Sequence, residues 1–236
     1  MDKNISEGMD KWVFNEGVTK VFGEMLERSI PSYDRMRELV TNIGADYVLS
    51  NDLCGLPVLD LGCSTGEQID RFLEVLPNRI VGCEVSESML SYSMEKYYGN
   101  ERVSIFDVDI CKQPFPADDC GLISSVLTIQ FTPMEYRQDI IKKVYEALTE
   151  NGIFIFVEKI IGDNYDFTRT YEKLYHTYKM NNGYSLHEIR DKKLKLEGVL
   201  VPVTNQFNIE LLKQAGFTKI DIFWKDLNFI GYVAIK

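Results

Sequence analysis

Residues 57–66, PVLDLGCSTG, are the stretch around which the rest of the chain is arranged. The apolar residues of 57–61 predict a strand buried in a parallel sheet, because such strands are covered on both faces. Gly62 and Gly66 follow at once, and glycine permits positive φ angles and a close approach of a ligand to the backbone. A helix that begins near Thr65 would point the positive end of its dipole at that ligand. A tight strand-to-helix turn without a ligand is the alternative.

Downstream, the chain alternates between strand patterns and helix patterns. This alternation predicts βαβ units, and therefore an α/β fold with a parallel sheet. The predicted strands cover residues 57–61, 79–83, 103–106, 121–126, 153–157, 219–224 and 228–235, and the predicted helices between them cover 66–76, 87–98 and 133–149. A short connection around Asp226 joins the last two strands, which predicts an antiparallel hairpin at the edge of the sheet.

Two further helical regions accompany the predicted sheet. Residues 1–50 predict two helices separated at Ile30-Pro31, which form a cap over the mouth of the sheet or, alternatively, cover one sheet face. Residues 162–205 exceed a simple crossover and predict two inserted helices, over 163–180 and 185–196. The whole chain of 236 residues is expected to form a single domain.

The composition is that of an acidic, soluble protein. The net charge of −10 and the isoelectric point of about 4.8 argue against a broad surface for nucleic acid or membrane, although Lys192, Lys193 and Lys195 could form a local basic groove. No apolar run approaches the length of a membrane span. The five cysteines are scattered and have no metal-ligand spacing with the two histidines. We therefore expect free thiols, a cytoplasmic location and no metal.

Candidate ligand residues stand at the carboxyl ends of the predicted strands, where open parallel sheets bind their ligands. Glu84 follows the second strand about twenty residues after the glycine loop, and an acid there can accept both ribose hydroxyls of a nucleoside. A solvated acid at a helix start is the alternative. Asp109 and Ile110 follow the third strand, where Asp can accept the exocyclic amine of adenine and Ile can cover the ring. A plain loop Asp is the alternative at this position.

The segments VLDLGCSTG, GCEVSESML and DVDI resemble the pattern of class I S-adenosylmethionine (SAM) methyltransferases over roughly residues 55–160. The loop lacks the G-x-G-x-x-G of dinucleotide-binding proteins. The resemblance implies SAM as the cofactor and a Rossmann-like sheet of seven strands with an antiparallel last strand, in agreement with the predicted hairpin. Asp60 would then order the glycine loop or lie near the SAM amino group rather than act as a base.

A narrower resemblance extends over nearly the whole chain. FNEGVTKVFGEMLERSIPSY, TIQFTPMEYR, VEKI, NGYSLHEI and the AGF before the sixth strand are similar to the carboxy-SAM synthase family, which makes carboxy-SAM from SAM and prephenate for wobble-uridine modification in tRNA. The resemblance implies that Tyr33 reaches over the bound nucleotide. The other SAM contacts expected are Gly62, Cys63, Ser64 and Gly66 in the loop, Glu84 and Val85 at the ribose, and Asp109 and Ile110 at the adenine. Glu84 stands where the family usually has Asp, so the carboxylate is kept.

Two positions depart from that family. Val126 stands where the family has an Asn that helps to hold the carboxylated ligand, and Lys193 stands where it has an Arg. Lysine keeps the charge but lacks the planar fork that grips a carboxylate in a bidentate manner. Val126 remains a predicted contact of the cofactor, and Lys193 and Tyr184 are the predicted substrate contacts. These departures indicate a relative that binds SAM and has lost or altered carboxy-SAM chemistry, unless the alignment slips by one residue in the inserted helix.

Methyl transfer to a small-molecule acceptor, with S-adenosylhomocysteine (SAH) as the product, is therefore the leading hypothesis. The sulfonium carbon of SAM is already electrophilic, so the protein mainly aligns the acceptor and excludes water. A hydroxyl acceptor would need a general base, and the candidate catalytic residues are His176, Glu158 and Tyr175. The tyrosines at helical spacing in this region could wall an aromatic pocket or pack between helices or subunits; they are Tyr165, Tyr171, Tyr175 and Tyr178.

Other functions stay open on the sequence. They are a carboxy-SAM synthase in which Lys193 replaces the arginine, a catalytically silent SAM-binding module, and a tRNA methyltransferase, which the acidic balance disfavours. The related family is dimeric, and the resemblance therefore implies a homodimer. No membrane partner is expected, and the methyl acceptor is not specified by any motif.

Overall fold

The structure is a computed structural model that describes residues 11–236; residues 1–10 of the predicted cap lie outside the described residues. The helices in this range are α1 (Glu16–Lys20), α2 (Phe22–Ser29), α3 (Tyr33–Ser50), α4 (Glu67–Val75), α5 (Glu87–Lys96), α6 (Met134–Ala147), α7 (Tyr165–Asn181), α8 (Leu186–Leu196) and α9 (Asn205–Ala215), with a 3₁₀ turn at Ile129–Phe131. The strands are β1 (Val58–Leu61), β2 (Ile80–Glu84), β3 (Val103–Asp107), β4 (Cys120–Val126), β5 (Leu148–Ile161), β6 (Val203–Thr204), β7 (Lys219–Asp226) and β8 (Phe229–Ile235). None of these helices is both long enough and apolar enough to cross a bilayer.

All eight strands join one sheet, and its order confirms the predicted fold. The order is β3-β2-β1-β4-β5-β8-β7, with the short β6 paired only to the end of β5. Neighbouring strands from β3 to β5 run parallel, whereas β8 is antiparallel to both β5 and β7. The predicted hairpin and the reversed last strand are thus confirmed. The strand order reverses between β1 and β4, where open sheets of this kind form their ligand crevice.

Helices cover both faces of the sheet, which is why β1 and β4 are buried along their whole length. On one face, Met36 of α3 and Phe72 of α4 pack in the same cluster as Leu122 of β4. On the other face, Ile140 of α6 packs in a cluster with Phe154 of β5. The strand ends therefore form a platform that is fixed by packing from both sides.

The N-terminal region differs from the prediction of two helices with one buried face. The Asn15 side chain accepts a hydrogen bond from the Val18 N–H, so α1 begins only after Asn15. Val21 separates α1 from α2 and is exposed, as is Val13. The helix predicted after Ile30-Pro31 is present as α3, but it lies on the sheet, which is the alternative arrangement. The segment before it faces the cavity described below.

The insertion contains the two predicted helices, α7 and α8. A capping box between Ser185 and Glu188 fixes the start of α8. α9 follows the insertion and was not predicted from the sequence. It begins after Thr204, whose side chain accepts a hydrogen bond from the Phe207 N–H, and it packs on α6.

Candidate functional site

A cavity of about 1110 Å³ lies at the carboxyl ends of the strands β1 to β5. Its walls come from the loops that follow these strands, from the N-terminal segment before α3, and from α7 and α8. Pockets for one drug-sized molecule usually measure about 300–1,000 Å³. The cavity therefore has room for a nucleotide and a second small molecule side by side.

Ten of the residues predicted from the sequence line this cavity, and six do not. Those that line it are Gly62, Ser64, Glu84, Val85, Asp109, Ile110, Val126, Tyr175, His176 and Lys193. Those that do not are Tyr33, Asp60, Cys63, Gly66, Glu158 and Tyr184. The contacts of each group explain the division.

Both glycines of the loop have positive φ angles, 71° at Gly62 and 82° at Gly66. A Cβ atom at Gly62 would lie 2.4 Å from the side chain of Thr128, and one at Gly66 would lie 2.3 Å from the hydroxyl of Tyr97. Tyr97 also donates a hydrogen bond of 2.7 Å to the Gly66 carbonyl. Packing against these side chains, as well as the turn itself, requires glycine here. A ligand approaching the loop meets the backbone at Gly62 and not at Gly66.

Glu84 faces the cavity and at the same time fixes the glycine loop. Its Oε2 accepts the Ser64 N–H at 2.9 Å, and its Oε1 accepts the N–H groups of Val85 and Ser86, each at 2.8 Å. The residue is only 8% exposed, so the alternative of a solvated acid does not hold. A carboxylate has about four lone-pair sites, and acceptor capacity remains for hydroxyls of a ligand.

The loop after β3 presents Asp109 and Ile110 to the cavity. Asp109 accepts the Cys111 N–H at 2.9 Å and pairs with Lys112 at 2.8 Å. The hydrogen bond from Lys112 holds the pKa of Asp109 below its ordinary value, so this carboxylate is ionised at neutral pH. Ile110 is buried beside it and offers an apolar surface. Val126, at the end of β4, adds another apolar contact on the cavity wall.

Asp60 and Cys63 point into the sheet layer instead of the cavity. Asp60 accepts a hydrogen bond of 2.7 Å from the Ser124 hydroxyl, which joins the ends of β1 and β4. Burial raises the pKa of Asp60 to about 6, against the effects of Ser124 and Arg37. Cys63 is buried, and burial raises the pKa of its thiol. Asp60 thus contacts the frame of the site, and the Cys63 side chain makes no contact with the cavity.

Tyr33 does not line the cavity, and its expected reach over the nucleotide stays a prediction. Its hydroxyl donates to Glu67 at 2.7 Å and accepts from the Arg37 Nε at 3.0 Å. The side chain is 3% exposed, because α3 packs it against the start of α4. Arg37 itself lines the cavity and also donates to Gln68 at 3.2 Å.

Glu158 does not line the cavity, although it was expected to face the mouth of the sheet, and its place among the candidate bases stays a prediction. It is buried beneath the 3₁₀ turn and accepts the Ile129 N–H at 3.1 Å. Burial raises its pKa to about 8, although Arg137 and the backbone N–H groups of the turn oppose this shift. The next residue along β5, Lys159, lines the cavity instead. The alternation of side chains along a strand separates the two residues.

Lysines surround Tyr175 in the part of the cavity beneath the insertion. Lys159 and Lys179 lie 4.8 Å and 4.5 Å from the centre of the Tyr175 ring, and Lys192 lies 5.0 Å from that of Trp12. Burial lowers the pKa of Lys159 and Lys192 to about 8 and that of Lys179 to about 7; the neighbouring lysines add to the effect, and the Glu172 carboxylate opposes it at Lys159. None of these three ammonium groups forms an ion pair with a carboxylate of residues 11–236. We call Lys159, Lys179 and Lys192 the lysine cluster.

Lys193 and His176 lie at the rim of the lysine cluster. The Lys193 ammonium is paired with Glu172, and the Nε2 of His176 lies 3.9 Å from the same carboxylate. Burial lowers the pKa of His176, so its imidazole is neutral at pH 7. Tyr175 is buried, and burial raises the pKa of its hydroxyl, which therefore stays protonated. Of the predicted catalytic residues, His176 is the one that lines the cavity in a form able to accept a proton.

Tyr184 does not reach the cavity. Its hydroxyl lies 3.1 Å from the Ser29 hydroxyl, and the Arg28 guanidinium stacks over its ring at 4.7 Å. It therefore joins the insertion to α2. No group of three His, Cys, Asp or Glu side chains in residues 11–236 is arranged to hold a metal ion.

Several cavity residues were not predicted as site residues, among them Arg37, Lys159 and Lys179, whereas Lys192 was named only as part of a possible basic groove. One signal was present: Tyr175 and Lys179 stand four residues apart, and such a pair shares one face of a helix. Lys159 and Lys192 come from other elements, and only the tertiary fold brings Lys159 to Tyr175 and Lys192 to Trp12.

The strand order, the glycine loop and the acid at the end of β2 together define a class I SAM-dependent methyltransferase, with SAM as its cofactor. A model of a methyltransferase domain matches residues 58–152. Solved structures share the fold: a SAM-dependent methyltransferase from Mesorhizobium loti has a TM-score of 0.57 and 17% identity over 77% of this chain and 91% of that one. Human N-acetylserotonin methyltransferase in complex with SAM has a TM-score of 0.57 and 14% identity over 98% of this chain and 63% of that one.

Sequence relatives define a narrower family. The carboxy-S-adenosyl-L-methionine synthase of Methylococcus capsulatus is 33% identical over 97% of this chain and 95% of its own length. The protein of the same name from Campylobacter concisus is 35% identical over 94% of each chain. The chain belongs to the carboxy-SAM synthase family of SAM-dependent methyltransferases.

Proposed function

We propose that this enzyme transfers the methyl group of SAM to an acidic small molecule that binds at the lysine cluster. The observation that carries the proposal is that Lys159, Lys179 and Lys192 line the cavity without a carboxylate partner among residues 11–236. Buried cations are costly unless they are paired. An acid in the cavity would supply the missing negative charge and would restore the ordinary pKa values of these lysines.

We infer that SAM lies along the glycine loop and the strand ends. Gly62 and Ser64 would contact its methionine part, Glu84 the ribose, and Asp109 and Ile110 the adenine. Two observations support this placement of SAM. All five residues line the same cavity, and backbone N–H groups hold the Glu84 carboxylate in a fixed orientation. Bound SAM supplies an electrophilic methyl group, so the protein has to align the acceptor and exclude water.

The acceptor atom on the acid determines whether a base is needed. A carboxylate oxygen can accept the methyl group directly, since it carries no proton to be removed. A hydroxyl of the same molecule would need a base, and His176 is the candidate that lines the cavity in neutral form. Under this proposal Tyr175 lies between Lys159 and Lys179 and forms part of the wall beside the acceptor. Glu158 has a structural role.

Mass spectrometry with a panel of small carboxylic acids and SAM tests the proposal. We expect an acid that gains one CH₂ unit, together with SAH. Lys179→Met should lower kcat/KM for that acid by about 10–100-fold, because a charged hydrogen bond is lost. Lys195→Met is the matched control, since Lys195 is exposed and lies outside the cavity. Equal losses in both variants, or methylation of neutral compounds alone, would contradict the proposal.

The lysine cluster also predicts a pH dependence of acid binding. An anion binds best to protonated lysines, which are present below their folded pKa values of about 7 to 8 and are lost as pH rises through them. We therefore expect the affinity of the SAH-saturated protein for the accepted acid to fall between pH 6 and pH 9. Calorimetric titration measures this directly, and an affinity that is constant or increases over that range would speak against the lysines.

A second candidate, carboxy-SAM synthesis, is favoured by the relatives at 33–35% identity over nearly the full chain. The resemblance supplies prephenate as the second substrate, and an acid of that kind suits the lysine cluster. Val126 and Lys193 are the two departures, and Lys193 is paired with Glu172. After incubation with SAM and prephenate, a nucleotide heavier than SAM by CO₂ would assign this activity. If SAM stays unchanged with prephenate and an acid of the panel is methylated, the activity is methyl transfer. If neither assay gives a product, the protein is a catalytically silent SAM-binding module.

We further propose that residues 1–236 act as one domain and that the protein is a cytoplasmic homodimer that does not bind nucleic acid. The dimer is supported by Phe167 and Leu174, which are exposed on α7 and flank Tyr171 along one helix face. The acidic net charge supports the absence of a nucleic-acid partner. Light scattering after size-exclusion chromatography measures the mass, and a monomer at micromolar concentration would contradict the dimer.

A further inference from the structure

The loop that follows β3 is folded back on itself by hydrogen bonds. The Asp109 carbonyl accepts the N–H groups of Lys112 and Gln113, at 3.0 Å and 2.9 Å, and the Asp109 N–H donates to the Gln113 side chain at 2.6 Å. The Asp109 carboxylate accepts the Cys111 N–H at 2.9 Å. These bonds are local to the loop, and they give it a defined shape.

Lys143 of α6 ties this loop to the helix layer. Its ammonium donates to the carbonyls of Ile110 and Gln113, to the latter at 2.9 Å, and it lies 5.0 Å from the centre of the Phe115 ring. Among residues 11–236, its hydrogen-bond partners are these two carbonyl oxygens. A half-buried cation therefore holds the backbone of the loop instead of balancing an acid.

The hydrogen bond to Ile110 leads to Asp109 through a single peptide unit. The carbonyl of Ile110 and the N–H of Cys111 belong to the same amide group, and that N–H donates to the Asp109 carboxylate. A cation at the oxygen of an amide polarises the group and strengthens its N–H as a donor. Lys143 does not line the cavity, whereas Asp109 and Ile110 do. The orientation of Asp109 in the cavity therefore depends on a cation that lies outside it.

We propose that Lys143 is a positioning residue for the nucleotide base: it orients Asp109 through the 110–111 peptide and thereby makes the site selective for adenine. This inference rests on the proposed function, in which Asp109 contacts the adenine. An ionised carboxylate only accepts hydrogen bonds, so it binds the exocyclic amine of adenine and repels the oxygen that hypoxanthine carries at the same position. Lys143 then controls the selectivity among bases as well as the strength of nucleotide binding.

Calorimetry with two nucleotides tests the inference. The probes are SAH and S-inosylhomocysteine, in which an oxygen replaces the amino group of the base. In the wild-type protein we expect SAH to bind at least about 10-fold more tightly, the effect of one hydrogen bond to a charged group. Lys143→Met keeps an unbranched side chain over Phe115 and removes the donors. It should lower SAH affinity by about 5–30-fold and reduce the ratio of the two affinities by at least about threefold.

The ratio separates positioning from a role in stability. Lys142→Met is the matched control, because Lys142 is the exposed neighbour on α6 and pairs with Glu146; both affinities should stay within about twofold. A smaller folded fraction of a variant affects both nucleotides equally and cancels in the ratio. If Lys143→Met does not fold, Lys143→Gln, which keeps one neutral donor, should change the ratio in the same direction. Equal losses for both nucleotides, with an unchanged ratio, would overturn the inference.

Asp109→Leu distinguishes failure of the inference from failure of the proposed function. If the wild-type protein does not discriminate between the nucleotides, or if Asp109→Leu keeps the full discrimination, the adenine does not lie at Asp109. The proposed placement of SAM then fails together with the inference. If Asp109→Leu abolishes the discrimination and Lys143→Met leaves the ratio unchanged, the placement of SAM stands and only the role of Lys143 is overturned.

Discussion

Glu84 is the last residue of β2 and Glu158 lies in the last third of β5; both carboxyl groups are buried and accept hydrogen bonds from backbone N–H groups. Glu84 closes the glycine loop and still faces the cavity, whereas Glu158 lies beneath the 3₁₀ turn and near Arg137. The difference is one of side-chain direction along a strand, which alternates from residue to residue. A carboxyl group near the end of a strand can therefore face the cavity or take part only in the fold. The direction of its side chain determines which of the two applies.

The buried carboxyl of Glu158 predicts a pH dependence of stability. Its folded pKa of about 8 lies above the ordinary value of 4.5, so the folded state holds a proton that the unfolded chain releases. The contribution of the protonated group is complete below pH 4.5 and is lost as pH rises towards 8. We expect the free energy of unfolding to fall by about 1–3 kcal/mol more in the wild-type protein than in Glu158→Gln between pH 5 and pH 8.

Urea unfolding at three pH values measures this difference. Glu27→Gln is a suitable control, because Glu27 is an exposed acid on α2. Parallel pH curves for wild type and Glu158→Gln would show that Glu158 is ionised in the folded protein throughout.

The residues that the sequence could assign are those that lie within a local motif. Glu84 and Asp109 follow apolar strands at a fixed distance from the glycine loop, and both line the cavity. Lys159 and Lys192 lie on β5 and α8, and nothing in either segment indicates that they meet. Tyr33 was assigned by resemblance, and its hydroxyl is held by Glu67 and Arg37, partners that the sequence alone does not reveal.

At the scale of elements, the strands were predictable because apolar runs follow directly from burial on both faces of the sheet. α9 was missed for a physical reason. Its buried positions are Asn208, Leu211 and Leu212, and the polar residue at the first of them hides the apolar spacing of the helix. The Asn208 amide is accommodated by a hydrogen bond of 3.3 Å to the Tyr232 hydroxyl.

The turn from β1 into α4 predicts a difference between two glycines. Gly66 and Gly99 have similar φ angles of 82° and 79°, but a Cβ at Gly66 would meet Tyr97 while one at Gly99 would meet nothing within 4 Å. We expect Gly99→Ala to cost about 1 kcal/mol, for the backbone conformation alone. Gly66→Ala should cost about 1–3 kcal/mol more, for the steric overlap.

Chemical denaturation of both variants measures the two costs. Gly66→Ala combined with Tyr97→Leu should recover the steric part and retain the conformational part. Equal destabilisation in Gly66→Ala and Gly99→Ala would mean that Tyr97 moves away at no cost, and that packing does not require glycine in this turn.

At the scale of the whole molecule, the segment before α1 joins parts of the fold that are distant in sequence. The Trp12 N–H donates to the Lys195 carbonyl at 3.0 Å, at the end of α8. The hydroxyls of Ser86 and Ser88 both donate to the Phe14 carbonyl, at 2.8 Å and 3.0 Å. The Phe14 ring packs edge-on against Phe131 of the 3₁₀ turn at 5.2 Å. This segment closes the cavity between the insertion and the loop that follows β2.

Loss of the Phe14 ring should therefore weaken ligand binding more than it weakens the fold. We expect Phe14→Ser to lower SAH affinity by about 10-fold or more, because the cavity wall is opened to water. Val21→Ser, in the same region but outside the cavity, should leave the affinity within about twofold. Calorimetry with SAH and circular dichroism compare the two variants, and equal affinities would show that this segment is not part of the nucleotide site.

Trp12 lies close enough to the lysine cluster for its fluorescence to report on ligand binding there. Its indole ring lies 5.0 Å from the Lys192 ammonium, and the chain has one other tryptophan, Trp224 on β7. Indole emission responds to nearby charge, and an anion arriving beside Lys192 changes the local field strongly because the site is poorly solvated. With Trp224 replaced by phenylalanine, Trp12 would be the single tryptophan of the protein. Stopped-flow fluorescence could then follow the arrival and departure of the second ligand in real time, without a label.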